Sequence, residues 1–179
     1  MRLTELTDEK IMLRVKEGHL EDLGELFNRY HVQLYNFFLK LTFDRDASED
    51  MTQTLFYRLI KYRQTFRFGD GSFRSWVYQI ARNIHVDFYK EQSRFRVKQV
   101  DDFEDHPAET GTYSDEAMEK LDRSLLQLTP AQREIILLSR YQGMKYEEIS
   151  QVLNMSVAAI KVQVHRAIKQ LRGIYFQQQ

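Results

Sequence analysis

Between Phe56 and Lys90, aromatic side chains at Phe56, Tyr57, Tyr62, Phe66, Phe68, Phe73, Trp76, Tyr78, Phe88 and Tyr89 are interleaved with cations at Arg58, Lys61, Arg63, Arg67, Arg74, Arg82 and Lys90. Ring faces stack on unpaired bases while guanidinium and ammonium groups follow phosphates, so this mixture suits single-stranded nucleic acid. Core packing accounts for most of these rings, and Trp76, at helical spacing with Ile80, is assigned to the core. Phe66, Arg67, Phe68 and Arg74 stand apart because they flank the turn Phe68-Gly69-Asp70-Gly71-Ser72. A mobile turn with aromatic flanks can hold an everted base.

A second set of cations lies in residues 145–172, KYEEISQVLNMSVAAIKVQVHRAIKQLR. Tyr146–Leu153 reads as a short helix with Ile149, Val152 and Leu153 inward. Asn154-Met155-Ser156 forms a turn, with Ser156 placed to cap the next helix. There Ile160, Val164, Ala167, Ile168 and Leu171 make an inward stripe that leaves Lys161, His165, Arg166, Lys169 and Arg172 facing elsewhere. A helix-turn-helix of this kind lays its second helix in the major groove, where cations meet phosphates and the first turns reach base edges. The same pattern also fits a plain amphipathic hairpin with a solvated basic face.

Covalent chemistry finds little support. The chain has no cysteine, and His19, His31, His85, His106 and His165 are scattered without metal-ligand spacing. The glycine turn is too short for a phosphate-binding loop and lacks its Lys-Ser/Thr ending. The carboxylates of Asp44–Asp50 are explained by the positive end of a helix. No catalytic residue, metal site or cofactor is expected.

The elements that must carry these groups are helical. Prolines occur at positions 107 and 130 alone, so most of the chain is free to be helical. Thr7 caps a helix over Asp8–Glu17, closed by Gly18. A long helix follows from about Leu20 to Leu41, with Leu20, Leu23, Phe27, Tyr30, Leu34, Phe37, Phe38 and Leu41 recurring at three- and four-residue steps. The next runs from Asp44 through Lys61, with Met51, Leu55, Leu59 and Tyr62 on one face. A fourth spans roughly Phe73–Lys90. Residues 97–114 lose periodicity and read as an acidic linker. Helices resume near Asp115. Thr129 caps another, with Pro130 at its first position, with Leu128, Ile135, Ile136, Leu137 and Leu138 as its core face and Gly143 as its end. The expected fold is all-α: a domain over 1–96, a flexible linker over 97–114, and a helix-turn-helix domain over 115–179.

The zero net charge of the 179-residue chain hides a pattern. Residues 1–57 carry net −4, 58–96 net +6, 97–120 net −6 and 121–179 net +4. Two basic segments separated by an acidic one imply two separate anionic partners. No apolar run is long enough for a membrane span, and the N-terminus has no secretory h-region.

Three ordered stretches, DASEDMTQTLFYRLIKY, FGDGSFRSWVYQIARNIHVDFYK and LTPAQREIILLSRYQGMKYEEISQVLNMSVAAIKVQVHRA, together resemble a bacterial RNA polymerase sigma factor of the extracytoplasmic-function group. The resemblance covers roughly residues 8–173. It implies that the helix matching Asp46–Lys61 docks on the clamp helices of the largest polymerase subunit through Asp50, Gln53 and Thr54, the last replacing the family's usual Glu. It implies that Asn83 and the Phe66–Phe73 turn (Phe66, Arg67, Phe68, Ser72, Phe73) hold a flipped base of the minus-ten element. Arg74, Arg82 and Lys90 would hold its phosphates. Ser156, Lys161, Val162, His165, Arg166 and Lys169 would read the minus-thirty-five element in duplex DNA. Where the family often has Ser at Val162 and Arg at Gln163 and Ile168, this chain differs. The implied partners are core RNA polymerase, promoter DNA and an anti-sigma factor; the implied compartment is the cytoplasm. The acidic linker either threads a basic polymerase channel or is a solvated tether.

Three rival readings stand beside this one. A helix-turn-helix regulator needs a helical sensor or dimerisation domain, or a βα receiver, upstream; residues 1–96 carry no receiver pattern and no ligand-cavity pattern. A nuclease or phosphohydrolase lacks its metal ligands. A purely protein-binding adaptor leaves both basic segments without a purpose.

Overall fold

The computed structural model describes residues 3–98 and 116–177, which form eight α-helices and no strands: α1 (Asp8–Glu17), α2 (Leu23–Thr42), α3 (Arg45–Lys61), α4 (Phe73–Lys98), α5 (Glu116–Leu126), α6 (Pro130–Ile136), α7 (Tyr146–Leu153) and α8 (Val157–Gln177). The all-α expectation holds. The linker expected over 97–114 lies outside the described residues from position 99 onward.

Local chemistry sets the helix boundaries. The Thr7 side chain accepts from the Lys10 N–H, and Gly18 closes α1 at φ 114, a left-handed cap that glycine adopts without steric cost. Asp44 accepts from the Ala47 N–H and starts α3. Thr129 and Gln132 form a reciprocal capping box at α6, with Pro130 in the first turn. Ser156 Oγ accepts from the Ala159 N–H at 3.2 Å and caps α8.

Four details differ from the sequence reading. The long second helix starts at Leu23, after a separate 3-10 turn over Leu20–Asp22 that leaves Leu20 exposed. Phe27 is 43% exposed and stacks face to face on His31 at 4.6 Å rather than entering the core. Tyr62 is exposed because α3 ends there, turning the residue off the buried face. Helix α4 continues to Lys98, beyond the expected stop at Lys90.

Helices α2 and α3, joined by two residues, pack along one another, and α4 packs on α3 and α1. In the second half α8 packs on α5, α6 and α7. The two halves also meet: α7 packs on α4 and α6 on α2. Buried side chains such as Phe37, Leu55, Tyr78, Leu138 and Ile149 consequently belong to one continuous apolar cluster. Burying each large apolar side chain contributes roughly 1.5–3 kcal/mol, so the seam between the halves is an energetic feature rather than a glancing contact.

Candidate nucleic-acid interface

The turn expected to grip an everted base is built from below by aromatic packing. Phe66 and Phe73 are 1% and 0% exposed. Phe66 lies 5.2 Å from Trp76 and Phe73 meets Tyr30 edge-on at 5.3 Å. The expectation that these two rings face a base is corrected: they are the floor of the turn and are not available to stack. Phe68, at 62% exposure, is the ring the turn presents. Arg67 beside it is exposed. Trp76 packs against the core cluster, as assigned.

The floor is pinned from α1. Lys16 Nζ donates to the Phe66 carbonyl at 2.7 Å, and the Phe73 N–H at the start of α4 donates to Glu9 Oε1 at 3.0 Å. Tyr30 donates its hydroxyl to Asp8 Oδ2 at 2.5 Å. Burial first, then this bond, raises the Tyr30 pKa well above the ordinary phenol range. The turn itself needs positive φ at Gly69 and Gly71, 97° and 131°. At Gly71 a β-carbon would also stand 2.6 Å from Gln151 Oε1 of α7.

The remaining residues expected to meet the opened strand lie just before α4 or along it. Asn83 and Lys90 are exposed. Ser72, Arg74 and Arg82 are half-buried and engaged by the second half of the chain. Ser72 Oγ donates to Glu148 Oε1 at 2.8 Å. Arg74 donates to the Gln142 carbonyl. Arg82 Nε lies 3.2 Å from Glu134 Oε1, with side chains 36% and 13% exposed. Burial pushes the Glu134 carboxyl up, with Arg82 pulling it back. His85, on the same helix, is pushed down to about 4, by burial first and then by Arg133 and Arg82.

Gln142 is central to this seam, and the sequence reading missed it. A π-type turn over Leu137–Tyr141 follows α6 and ends with the Gln142 N–H donating to the Leu137 carbonyl at 2.8 Å. Such wide turns displace the residues after them and recur at functional sites. Here Gln142 Oε1 accepts from the buried Tyr78 hydroxyl at 2.7 Å and its Nε2 donates to the Gln33 carbonyl at 3.4 Å. Two further ties were also missed. Lys40 pairs with Asp122, whose side chain is 2% exposed. Arg133 donates to the Leu41 carbonyl at 2.8 Å, with its guanidinium 5.5 Å from the Phe43 ring centre. One signal was legible: residues 121–179 hold four acids, Asp122, Glu134, Glu147 and Glu148, and three of them engage the first half.

The residues expected to read duplex DNA are arranged differently. Ile160, Val164 and Ala167 are buried, and Ile168 and Leu171 pack against the core. Ser156, Lys161, Val162, His165, Arg166 and Lys169 are all exposed on the opposite face of α8 or at its start. Their spacing keeps them on one side of the helix. Among the described residues, no ion pair or hydrogen bond engages the side chains of Lys161, His165, Arg166 or Lys169. On α3, Asp50 and Gln53 are exposed and Thr54 is half-buried, on the face opposite Met51, Leu55 and Leu59.

Among the described residues, no helix is long and apolar enough to cross a membrane, and no group of His, Asp and Glu could hold a metal ion.

Comparison with known proteins gives a consistent picture. Residues 26–95 match Sigma-70 region 2 and residues 118–171 match Sigma-70, region 4. The ECF RNA polymerase sigma factor SigX of Bacillus subtilis (strain 168) is 29% identical over 157 residues, 82% of this chain and 80% of SigX. CnrH, solved in complex with the cytosolic domain of CnrY, superposes with a TM-score of 0.74 at 22% identity, over 96% of this chain and 99% of CnrH. The sigma factor RpoE of Bartonella quintana, solved with the anti-sigma factor NepR, gives 0.71 at 22% identity, over 86% of this chain and 96% of RpoE.

Proposed function

This chain belongs to the sigma-70 family, in its ECF group, and from that premise we infer which of its residues meet the polymerase and the promoter. It binds core RNA polymerase and directs promoter recognition for transcription initiation. The family acts in initiation without being enzymes; RNA synthesis is the polymerase's chemistry, and this chain adds no catalytic group of its own.

Residues 1–96 hold the polymerase and the melted minus-ten strand; residues 115–179 hold the duplex at minus-thirty-five. The observation that carries this division is the opposite build of the two surfaces. One is an aromatic-floored turn feeding a row of donors along α4. The other is a single exposed basic helix face with a capped start. Asp50, Gln53 and Thr54 on α3 form the polymerase contact, an acidic and polar patch suited to a basic partner surface. Phe68 stacks, Asn83 recognises a displaced base, and Ser72, Arg74, Arg82, Arg67 and Lys90 hold the strand. Stacking at roughly 1–3 kcal/mol per base offsets the opening of a few base pairs. Ser156, Lys161, Val162, His165, Arg166 and Lys169 meet the major groove and its flanking phosphates. An anti-sigma protein is a further partner, as NepR is of RpoE, and the site of action is the cytoplasm.

The test is reconstitution. The chain with core polymerase should start RNA at discrete genomic sites, and Asn83→Ala should reduce strand opening while leaving polymerase binding intact. Loss of polymerase binding in that variant would make Asn83 structural instead. Promoter-duplex binding by the chain alone, with no dependence on polymerase, would favour a helix-turn-helix regulator.

A further inference from the structure

The turn that presents Phe68 is held at both ends by one helix. Lys16 Nζ on α1 donates to the Phe66 carbonyl at 2.7 Å, where the turn begins. Glu9 Oε1 accepts from the Phe73 N–H at 3.0 Å, where the turn passes into α4. Glu9 and Lys16 stand about two helical turns apart on α1 and so share one face. A third bond comes from the approach to the turn, where Gln64 Nε2 donates to the Lys16 carbonyl at 2.9 Å. The helix that makes these bonds is itself fixed. Ile11, Met12 and Val15 are fully buried. Arg29 and Tyr30 of α2 both hold Asp8 at its start, and Arg14 pairs with the buried Asp22 beyond its end.

Between these two bonds the backbone has little to hold it. Gly69 and Gly71 both take positive φ, and Arg67 and Phe68 are exposed. Such a segment has many conformations to lose when it grips a base, and each costs affinity. Fixing its ends removes most of that freedom beforehand. The Phe73 N–H is one of the first-turn donors that α4 cannot satisfy internally, and a carboxylate there also meets the positive end of the helix. The stretch matching Sigma-70 region 2 starts at residue 26, so α1 lies outside it. We propose that Glu9 and Lys16 are positioning residues for minus-ten recognition. By fixing both ends of the turn they set the placement of Phe68, and with it the base that is preferred, without touching DNA. The inference rests on the reading of this turn as the base-holding element. The phosphates are assigned to Arg67 and to side chains along α4, so base preference and overall hold on the strand are separable.

The test uses the full chain assembled with core polymerase, and a pool of short single-stranded DNA of random sequence. Two quantities are read: affinity for the unselected pool, and base enrichment among the bound molecules by sequencing. Glu9→Ala and Lys16→Met should each lower the enrichment at the preferred position by about fivefold, the equivalent of one hydrogen bond, and leave affinity for the unselected pool unchanged. Glu9→Gln and Lys16→Arg, which keep an acceptor and a donor, should retain the enrichment. Phe68→Ala should abolish it. Full enrichment in Glu9→Ala and Lys16→Met, with Phe68→Ala losing it, would overturn the positioning role and leave the reading of the turn intact. Affinity and enrichment that fall together, without rescue by the conservative variants, would overturn it too, by making both residues merely structural. Full enrichment in Phe68→Ala would remove the turn from base recognition, and the inference with it. Should Glu9→Ala fold poorly, Lys16→Met gives the same readouts from a half-buried side chain.

Discussion

The α4 face proposed for the opened strand and the α8 face proposed for duplex DNA are both basic, yet one is engaged by the chain itself and the other is open. Ser72, Arg74 and Arg82 spend their donors on the chain's own carboxylates and carbonyls. Lys161, His165, Arg166 and Lys169 stand exposed. We read the difference as following from what each face is proposed to bind. A duplex offers its phosphates in any state, so its reader can stay open. A melted strand exists only inside an assembled complex, and a donor row left uncovered would gather any single strand it met.

The largest expected effect lies in the anchor of the covered face. Asp122→Ala leaves Lys40 in a site where its side chain is 12% exposed, and breaking a buried pair from one side costs about 3–5 kcal/mol. Lys40 can swing toward water, so the lower end applies. Urea unfolding should show a lower midpoint. An unchanged midpoint would mean that the seam does not depend on this pair. On the open face, Arg166→Ala should weaken minus-thirty-five binding and make the log–log salt slope shallower by about 0.9 for one lost phosphate contact. An unchanged slope would move Arg166 away from the backbone.

Smaller effects refine the seam. Tyr78→Phe removes the hydroxyl that donates to Gln142 at 2.7 Å and leaves that amide oxygen short of a partner. The cost should be about 1 kcal/mol in thermal or urea unfolding, with no change in duplex binding. His85 supplies a pH dependence. Its folded value, about 4, lies below the ordinary 6.5, so the folded chain binds fewer protons there and stability rises with pH. That contribution is fully present above about 6.5 and is lost as pH falls through about 4. Glu134, shifted upward by burial, titrates in the opposite sense. Comparing the acid limb of stability in the parent chain and in His85→Gln isolates the histidine; identical limbs would contradict its burial at the seam.

Much of this was legible in the residues. The caps at Thr7, Thr129 and Ser156 announced three helix starts, because each is a short polar side chain preceding a periodic apolar run, and the acidic run Asp44–Asp50 announced a fourth. The helix-turn-helix was readable for the same reason, and so was its exposed basic face. Phe66 and Phe73 were misplaced because an aromatic beside a glycine turn looks the same whether it faces in or out; only Tyr30 and Trp76, brought from elsewhere, decide it. The seam was hidden for a deeper reason. Lys40 and Asp122 are 82 positions apart, and nothing local in either helix records the other. The imbalance of acids in residues 121–179 was the trace available, and it carries meaning only once α7 is known to lie on α4.

If α4 meets the opened strand and α8 the duplex, as proposed, the packing of α7 on α4 must yield when a promoter opens. Dyes at Glu21→Cys and Glu147→Cys, followed as the chain alone, then with core polymerase, then in a complex that is synthesising RNA, test it most directly. The account predicts a short separation in the free chain and a long one in every complex with an opened promoter. A separation that stays short while RNA is being made would contradict it.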